Sequence, residues 1–156
     1  MIQQYHTKEQ ALQKAKHYCA YQERCHKEVK DKLYDLGLHK NEVEEALADL
    51  IQENYLNEER FAIHFAGGRF RVKQWARVKI KYELKQKQVS TFCINKALRE
   101  IDDAAYIATL HKLLAEKLKT LSKEKNIFIK KKKAQDFLLQ RGFESDLIRE
   151  AIEKSI

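Results

Sequence analysis

The chain has 156 residues, about the length of one ordinary domain, and such a chain buries roughly two-thirds of the surface that its unfolded form exposes. It contains no proline and only 4 glycines. This composition argues against an all-β sandwich or barrel, whose tight turns use both residue types, and favours an all-α fold. The formal net charge of +8 favours a polyanionic partner, with nucleic acid first and an anionic membrane surface second.

Neither a membrane span nor a secretion signal is predicted. No stretch reaches the roughly 18 to 20 apolar residues that cross a bilayer, and the first ten residues lack the basic and apolar regions of a signal peptide. We therefore expect a cytoplasmic protein with no membrane partner. The odd number of cysteines, Cys19, Cys25 and Cys93, predicts reduced and mostly buried thiols rather than a disulfide framework.

One apolar pattern occurs three times along the chain. It recurs after 51 residues and again, shortened, after a further 54 residues. The three copies are Leu33, Val43, Ala46, Leu47 and Leu50; Leu84, Ile94, Ala97, Leu98 and Ile101; and Leu138, Ile148, Ala151 and Ile152. Spacings of three and four residues place the second part of each copy on one face of an amphipathic helix.

Each copy contains a predicted helix end followed by a helix start. The ends are Gly37-Leu38, Gln88-Val89 and Gly142-Phe143, where glycine adopts a left-handed conformation cheaply and glutamine does so at a small cost. The next helices are predicted to begin with a capping side chain. The candidates are Asn41 with Glu44 three residues on, then Ser90 or Thr91, then Ser145 or Asp146.

An earlier helix precedes each of these pairs, so the repeating unit has three helices. Thr7 and Gln10 form a capping-box pattern at the start of the first one. In the third copy this first helix is lengthened by an apolar face made of Ile107, Leu110, Leu114, Leu118 and Leu121. We predict three tandem three-helix repeats, residues 1–56, 57–101 and 102–156, packed as an elongated curved array, and we expect a monomer.

The basic character of the chain belongs mainly to the middle repeat. Residues 1–56 carry 8 basic and 10 acidic groups, residues 57–101 carry 11 and 4, and residues 102–156 carry 12 and 9. Eight of the basic residues of the middle repeat lie within 19 positions in which Glu83 is the only acid. We take them to lie on a loop that leads into a helix.

These residues form the candidate binding surface for nucleic acid. Such a surface typically combines basic side chains that bind phosphates with an aromatic ring. Here the one ring could stack on a base or anchor on a protein. The candidates are Arg69, Arg71, Lys73, Trp75, Arg77, Lys79 and Lys81, with the run Lys130, Lys131, Lys132 and Lys133 as an accessory phosphate contact. The alternative is that both sets are solvated helix faces and that Trp75 belongs to the core.

No catalytic or metal-binding pattern is present. The sequence lacks phosphate-binding glycine loops, a nucleophile elbow and a His-Glu-x-x-His motif. His17, Cys19, Cys25 and His26 lie close together, but they contain no Cys-x-x-Cys and have no second pair of ligands. We therefore expect neither an enzyme nor a bound cofactor or metal.

Three segments resemble the bacterial RecX family, whose members modulate the RecA recombinase. Asn54–Ala62 is similar to that family's Gly-Tyr-Leu-Asp-Asp-Glu-Arg-Phe-Ala junction between its first two repeats. Trp75–Leu84 resembles its basic Gly-x-x-Arg-Ile-x-x-Glu-Leu helix, and Gln140–Phe143 resembles its final turn. Asn54, Ala76 and Gln88 depart from the small or glycine residues usual there. For the junction itself we expect structural roles, with Asn57 capping a helix and Arg60 pairing with a carboxylate.

The resemblance implies a fold of three tandem three-helix repeats and a regulatory function. A RecX-like protein would bind the RecA–single-stranded DNA filament and lower ATP hydrolysis, strand exchange and co-protease activity, regulating recombination and DNA repair. Its expected partners are therefore RecA and single-stranded DNA, with double-stranded DNA a further candidate. The main alternative is a stand-alone DNA-binding or architectural protein, because three-helix units with a basic helix resemble helix-turn-helix folds.

Overall fold

The computed structural model describes residues 5–156, and in this range it contains nine α-helices and no strand. The all-α prediction is confirmed. Residues 1–4, which belong to the segment predicted not to be a signal peptide, lie outside the described residues. The helices are α1 (Lys8–Tyr21), α2 (His26–Asp35), α3 (Lys40–Gln52), α4 (Glu58–Lys73), α5 (Arg77–Gln86), α6 (Thr91–Arg99), α7 (Asp103–Thr120), α8 (Ile127–Arg141) and α9 (Ser145–Ser155).

The helices gather into two compact units. The first comprises the described residues up to Phe65 together with Leu84–Lys96, and the second comprises Ala66–Glu83 together with Ala97–Ile156. Helices α1, α2 and α3 pack on one another in the first unit, and α7, α8 and α9 do so in the second. Helices α4, α5 and α6 each contribute to both units. The division at residues 56/57 and 101/102 stays a prediction.

The same turn ends the second helix of all three copies. Gly37 and Gly142 have φ of 95° and 98°, and Gln88 adopts the left-handed region at 61°. The amide after each of them donates to the carbonyl of the repeated leucine, with N···O distances of 3.3, 3.1 and 3.2 Å for Leu38, Val89 and Phe143. The predicted helix ends are therefore confirmed, including the strained one at Gln88.

Three of the helix caps predicted from the sequence are confirmed by the structure, and two predictions are wrong. Thr7 and Gln10 form the predicted capping box, Asn57 accepts from the amide of Arg60 at 2.9 Å, and Ser90 accepts from that of Cys93 at 3.4 Å. The predicted cap at Asn41 is wrong, because α3 begins at Lys40 and the backbone amide of His39 is bound by Glu42 at 3.2 Å. The predictions for Ser145 and Asp146 are also wrong, since both lie inside α9 and Glu144 is its N-cap.

The repeated apolar residues form the cores of the two units. In the first unit Leu33, Val43 and Leu50 are fully buried, and in the second unit Leu138 and Ile148 are at most 1% exposed. Cys19, Cys25 and Cys93 are free and buried, as predicted, and burial raises the pKa of the Cys25 thiol to about 11. Within residues 5–156, no helix combines the length and apolar character needed to span a bilayer.

The junction between the first two copies is tied together by Arg60. Its Nε lies 2.6 Å from Glu23 Oε1, which confirms the predicted ion pair with a carboxylate. Its guanidinium also donates to the backbone carbonyls of Asn54 and Tyr55 at 3.1 and 3.3 Å. Asn54 sits at φ 64°, in the left-handed conformation for which glycine is better suited. Arg60 therefore closes the end of α3, which is the structural role expected for the junction.

Candidate nucleic-acid interface

The end of α4 determines where Trp75 lies. Gln74 has φ of 57°, and the amide of Trp75 donates back to the carbonyl of Arg69 at 3.1 Å. The amide of Gln74 donates to the carbonyl of Phe70 at 3.1 Å, so this geometry is a left-handed C-cap, which turns the chain away directly after a helix. Arg69, Arg71 and Lys73 are therefore helical rather than in a loop, and only residues 74–76 connect α4 to α5. That part of the sequence prediction is wrong.

Trp75 is half-buried and surrounded by three cations. Lys79 Nζ lies 4.5 Å from the centroid of its ring, Lys73 Nζ lies 5.3 Å away, and the guanidinium carbon of Arg69 lies 5.4 Å away. Each distance is within the range of a cation–π interaction, which is strongest on tryptophan. We call Arg69, Lys73, Trp75 and Lys79 the Trp75 cluster.

The two lysines of the Trp75 cluster have no acidic counterpart in the part of the chain that the structure describes. Across residues 5–156, no carboxylate oxygen lies within 4.0 Å of the ammonium group of Lys73 or Lys79. Lys73 is exposed and Lys79 is half-buried. Cations without a carboxylate partner attract the phosphates of a polyanion, and a partly exposed aromatic ring can stack on an unpaired base. Single-stranded nucleic acids offer both groups.

Arg77 forms ion pairs within the protein, although it belongs to the candidate nucleic-acid-binding residues predicted from the sequence. Its Nη2 lies 2.7 Å from Asp103 Oδ1 and its Nη1 lies 3.0 Å from Glu144 Oε2. Its guanidinium carbon also lies 3.8 Å from the centroid of the Tyr106 ring. Two carboxylates therefore neutralise this charge, and the structure does not bring Arg77 into the Trp75 cluster.

Tyr106 is the buried centre of this network. Its side chain is 0% exposed, and its hydroxyl donates to Glu144 while accepting from the backbone amide of Arg77 at 3.1 Å. Burial raises the pKa of the phenol strongly, and the hydrogen bond to Glu144 raises it further. The hydroxyl consequently stays a proton donor, and the network fixes the start of α5 to α7 and α9.

The C-terminal end of α8 holds the first turn of α5. The amide of Ala76 donates to the carbonyl of Arg141 at 2.7 Å, and the amide of Val78 donates to the carbonyl of Gly142 at 2.9 Å. A Cβ atom on Gly142 would lie 2.5 Å from Lys79 Cβ, so only glycine allows this approach. Arg141 also donates to the carbonyl of Lys73 at 3.0 Å. The Gln140–Phe143 turn thus positions both lysines of the Trp75 cluster.

Two other predicted residues of the middle repeat lie apart from this cluster. The guanidinium of Arg71 folds over Gly67, where an added Cβ would lie 2.7 Å from its Nη1. Lys81 is exposed two residues after Lys79, and residues two apart do not share a helix face. Their predicted role in binding stays a prediction.

The four consecutive lysines lie in α8 and are only partly neutralised. Lys132 Nζ lies 3.0 Å from Asp136, and Lys133 Nζ lies 3.9 Å from Glu124. Lys130 and Lys131 have no carboxylate at ion-pair distance among the residues that the structure describes. Their assignment as an accessory phosphate contact also stays a prediction.

The residues that support the candidate surface are not identified by the local sequence. Asp103, Tyr106, Glu144 and Arg141 lie 26 to 68 residues from the groups that they bind. No periodicity connects such distant positions in a single sequence. The local signal is the Gln140–Phe143 turn, whose sequence predicts a helix end but not the contact of that turn with α5.

Models of three successive RecX domains match this chain. The model described as the first three-helix domain of RecX matches residues 11–50, the second matches residues 57–98, and the third matches residues 104–152. These matches confirm the tandem three-helix organisation predicted from the internal repeats.

Related proteins and solved structures agree with the family models. Regulatory protein RecX of Prosthecochloris aestuarii is 33% identical over 144 residues, which cover 92% of each chain. That of Chlorobium limicola is 30% identical over 151 residues, which cover 96% of this chain and 91% of the relative. The crystal structure of RecX from Lactobacillus salivarius has the same fold, with a TM-score of 0.87, 24% identity and coverage of 94% and 95%. By its sequence and its three matched domains, this chain belongs to the RecX family of regulatory proteins.

Proposed function

We propose that this protein binds the RecA–single-stranded DNA filament in the cytoplasm and lowers the recombinase activities of RecA. Those activities are ATP hydrolysis, strand exchange and co-protease activity. Membership of a family of regulatory proteins named RecX supports this assignment. The observation that carries the DNA part of the proposal is the Trp75 cluster, whose lysines have no carboxylate at ion-pair distance among residues 5–156.

The chemistry of the Trp75 cluster suits single-stranded DNA. Lysine ammonium groups neutralise phosphates and release their counterions, and an aromatic ring stacks on an unpaired base. Lys73 and Lys79 would contact phosphates, while Trp75 would present the edge or face of its ring to a base. A protein bound in this way across neighbouring RecA protomers would restrain their relative motion. It would therefore lower RecA activity without an active site of its own.

Charge reversal in the Trp75 cluster tests this proposal. Lys73→Glu combined with Lys79→Glu should raise the amount of protein needed to inhibit RecA-dependent ATP hydrolysis on single-stranded DNA by about tenfold or more. The control is Lys14→Glu combined with Lys30→Glu, which changes the net charge by the same amount at exposed lysines of α1 and α2. Because neither control lysine has a carboxylate at ion-pair distance in the described structure, this variant should inhibit like the unaltered protein.

The experiment has three informative outcomes. Inhibition by the control but not by the cluster variant supports a filament regulator that uses this surface. Equal inhibition by both variants would contradict the surface assignment. An unaltered protein that binds single-stranded DNA but leaves RecA activity unchanged would point to a stand-alone DNA-binding protein.

A further inference from the structure

A second aromatic ring of the second unit is flanked by two cations. Phe137 of α8 is half-buried, and Nζ of Lys117, in α7, lies 5.2 Å from the centroid of its ring. The guanidinium carbon of Arg141 lies 5.3 Å from the same centroid. Both distances are within the range of a cation–π interaction. We call Lys117, Phe137 and Arg141 the Phe137 cluster, which resembles the Trp75 cluster in combining one ring with the cations around it.

Acids do not neutralise the cations of the Phe137 cluster. In the part of the chain that the structure describes, no carboxylate oxygen lies within 4.0 Å of the charged nitrogens of Lys117 or Arg141. Asp136, which precedes Phe137, is bound by Lys132 at 3.0 Å. Both cations of the cluster are half-buried and rest on the ring. Side chains held in this way lose less freedom when a ligand binds, which favours binding.

Arg141 joins the Phe137 cluster to the Trp75 cluster. Its Nη1 donates to the backbone carbonyl of Lys73 at 3.0 Å, while its guanidinium carbon stays within cation–π range of Phe137. Phe137 and Arg141 are four residues apart, so they lie on the same face of α8. All members of both clusters belong to the second unit. The two clusters therefore form one continuous surface, in which cations surround two successive rings.

The form of this surface favours a single-stranded nucleic acid over a protein partner. A protein interface buries an apolar centre from which charged residues are depleted. The Phe137 cluster offers no such centre, because its ring is half-buried and two cations lie against it. A single strand instead repeats one phosphate per nucleotide, and proteins hold it with a line of cations that follows its backbone. Two adjoining cationic clusters match such a polymer, and the first is the proposed contact for DNA.

We infer that a single strand bound at the Trp75 cluster continues over the Phe137 cluster, where Lys117 and Arg141 bind its phosphates. Phe137 is a positioning residue, because its ring holds the two cations and does not itself need to meet a base. The inference rests on the proposed function. It extends the proposed DNA contact from α4 and α5 to α7 and α8.

Charge reversal at Lys117 tests this path. Lys117→Glu should weaken binding to a labelled single-stranded oligonucleotide of about 15 nucleotides by about fivefold or more, because repulsion replaces a phosphate contact. Lys117→Arg keeps the charge and should bind within about twofold of the unaltered protein. The matched control is Lys119→Glu, at an exposed lysine of the same helix that has no carboxylate at ion-pair distance in the described structure. Residues two apart do not share a helix face, so this variant should bind normally.

The salt dependence of binding separates a phosphate contact from a structural effect. Each phosphate contact with a single strand contributes about 0.7 to the slope of log affinity against log salt concentration. Lys117→Gln should therefore reduce this slope by about 0.7, whereas Lys119→Gln should leave it unchanged. Fluorescence anisotropy measures the affinities, and thermal unfolding checks that each variant folds. A weaker affinity with an unchanged slope would overturn the inference, because Lys117 would then act only on the structure.

The remaining outcomes separate this inference from the proposed function. Weaker oligonucleotide binding and a smaller slope for the Lys117 variants alone support the path. Equal binding by Lys117→Glu and Lys119→Glu overturns it and leaves the proposed function with the Trp75 cluster. If Lys117→Glu weakens binding to the RecA–single-stranded DNA filament but not to the oligonucleotide, the inference is overturned in favour of an acidic protein surface. If the unaltered protein does not bind the oligonucleotide, the inference and the DNA part of the proposed function both fail. If the Lys117 effects are found but RecA activity is unchanged by the unaltered protein, only the proposed function fails.

Discussion

Helices α1–α3 and helices α4–α6 are two copies of one pattern with opposite charge behaviour. In the first copy, two long cations are matched by acids, Lys8 by Glu45 and Lys16 by Glu53, both at 2.9 Å. In the middle copy, Lys73 and Lys79 lie against Trp75 instead of an acid. Since the same apolar spacing forms three helices in both copies, the charges of Lys73 and Lys79 are not needed for the fold. They are therefore available for function.

The third helix of each copy shows the same contrast. Of four corresponding positions, two carry acids in α3, whereas one carries an aromatic residue and two carry cations in α6. The α3 residues are Asn41, Glu44, Glu45 and Ala48, and the α6 residues at the 51-residue shift are Phe92, Asn95, Lys96 and Arg99. Lys96 is held by Glu59 at 2.6 Å, so part of this change serves the fold. Position within a repeat alone therefore does not show which cations are available.

The largest effect on stability is expected from Arg77, which two carboxylates neutralise. Arg77→Ala removes two ion pairs and a contact with Tyr106, and should lower the free energy of unfolding by about 2 kcal/mol. Lys79→Ala should change it by less than about 1 kcal/mol, because Lys79 has no ion pair to lose in the described structure and gives up a cation–π contact with Trp75. Urea unfolding followed by circular dichroism measures both. Equal losses for the two variants would contradict the division into structural and binding cations.

A somewhat smaller effect on DNA affinity is expected from Trp75. Trp75→Ala should weaken binding to a single-stranded oligonucleotide by about 1 to 2 kcal/mol, roughly tenfold, because stacking on a base is lost. Trp75→Phe keeps an aromatic face and should retain most of the affinity. Fluorescence anisotropy of a labelled oligonucleotide measures both variants. If alanine and phenylalanine weaken binding equally, Trp75 does not stack and only positions the lysines.

The smallest effect is expected at the turn that both copies share. Gln88 adopts φ of 61° where Gly37 has φ of 95°. Gln88→Gly should raise the free energy of unfolding by about 0.5 kcal/mol, since relief of left-handed strain slightly exceeds the greater freedom of glycine in the unfolded chain. Gly37→Ala should lower it by about 1 kcal/mol. Thermal unfolding of both variants compares the turns, and a stability loss for Gln88→Gly would show that its side chain has a further role.

Much of the candidate surface could be predicted from local sequence. Uncompensated cations and a single tryptophan are visible within one short segment, and the left-handed turns follow from glycine or its replacement beside a repeated leucine. The predicted starts of α3 and α9 differ from the structure by one or more residues, because His39 and Glu144 occupy the N-cap positions without a capping hydrogen bond from their own side chains. The order of helices depends on periodicity over many residues, whereas an exact helix start depends on one or two hydrogen bonds.

The sequence by itself determined the helical class, the three-fold repetition, the free cysteines and the charge of the middle copy. All of these follow from composition or from spacings within one helix or turn. Only the tertiary structure decided that Arg77 is neutralised by Asp103 and Glu144, that Gly142 supports Lys79, and that Phe128 stays outside the core. These facts depend on contacts between residues far apart in the chain. A charge or an apolar side chain becomes available for binding only when no such contact uses it.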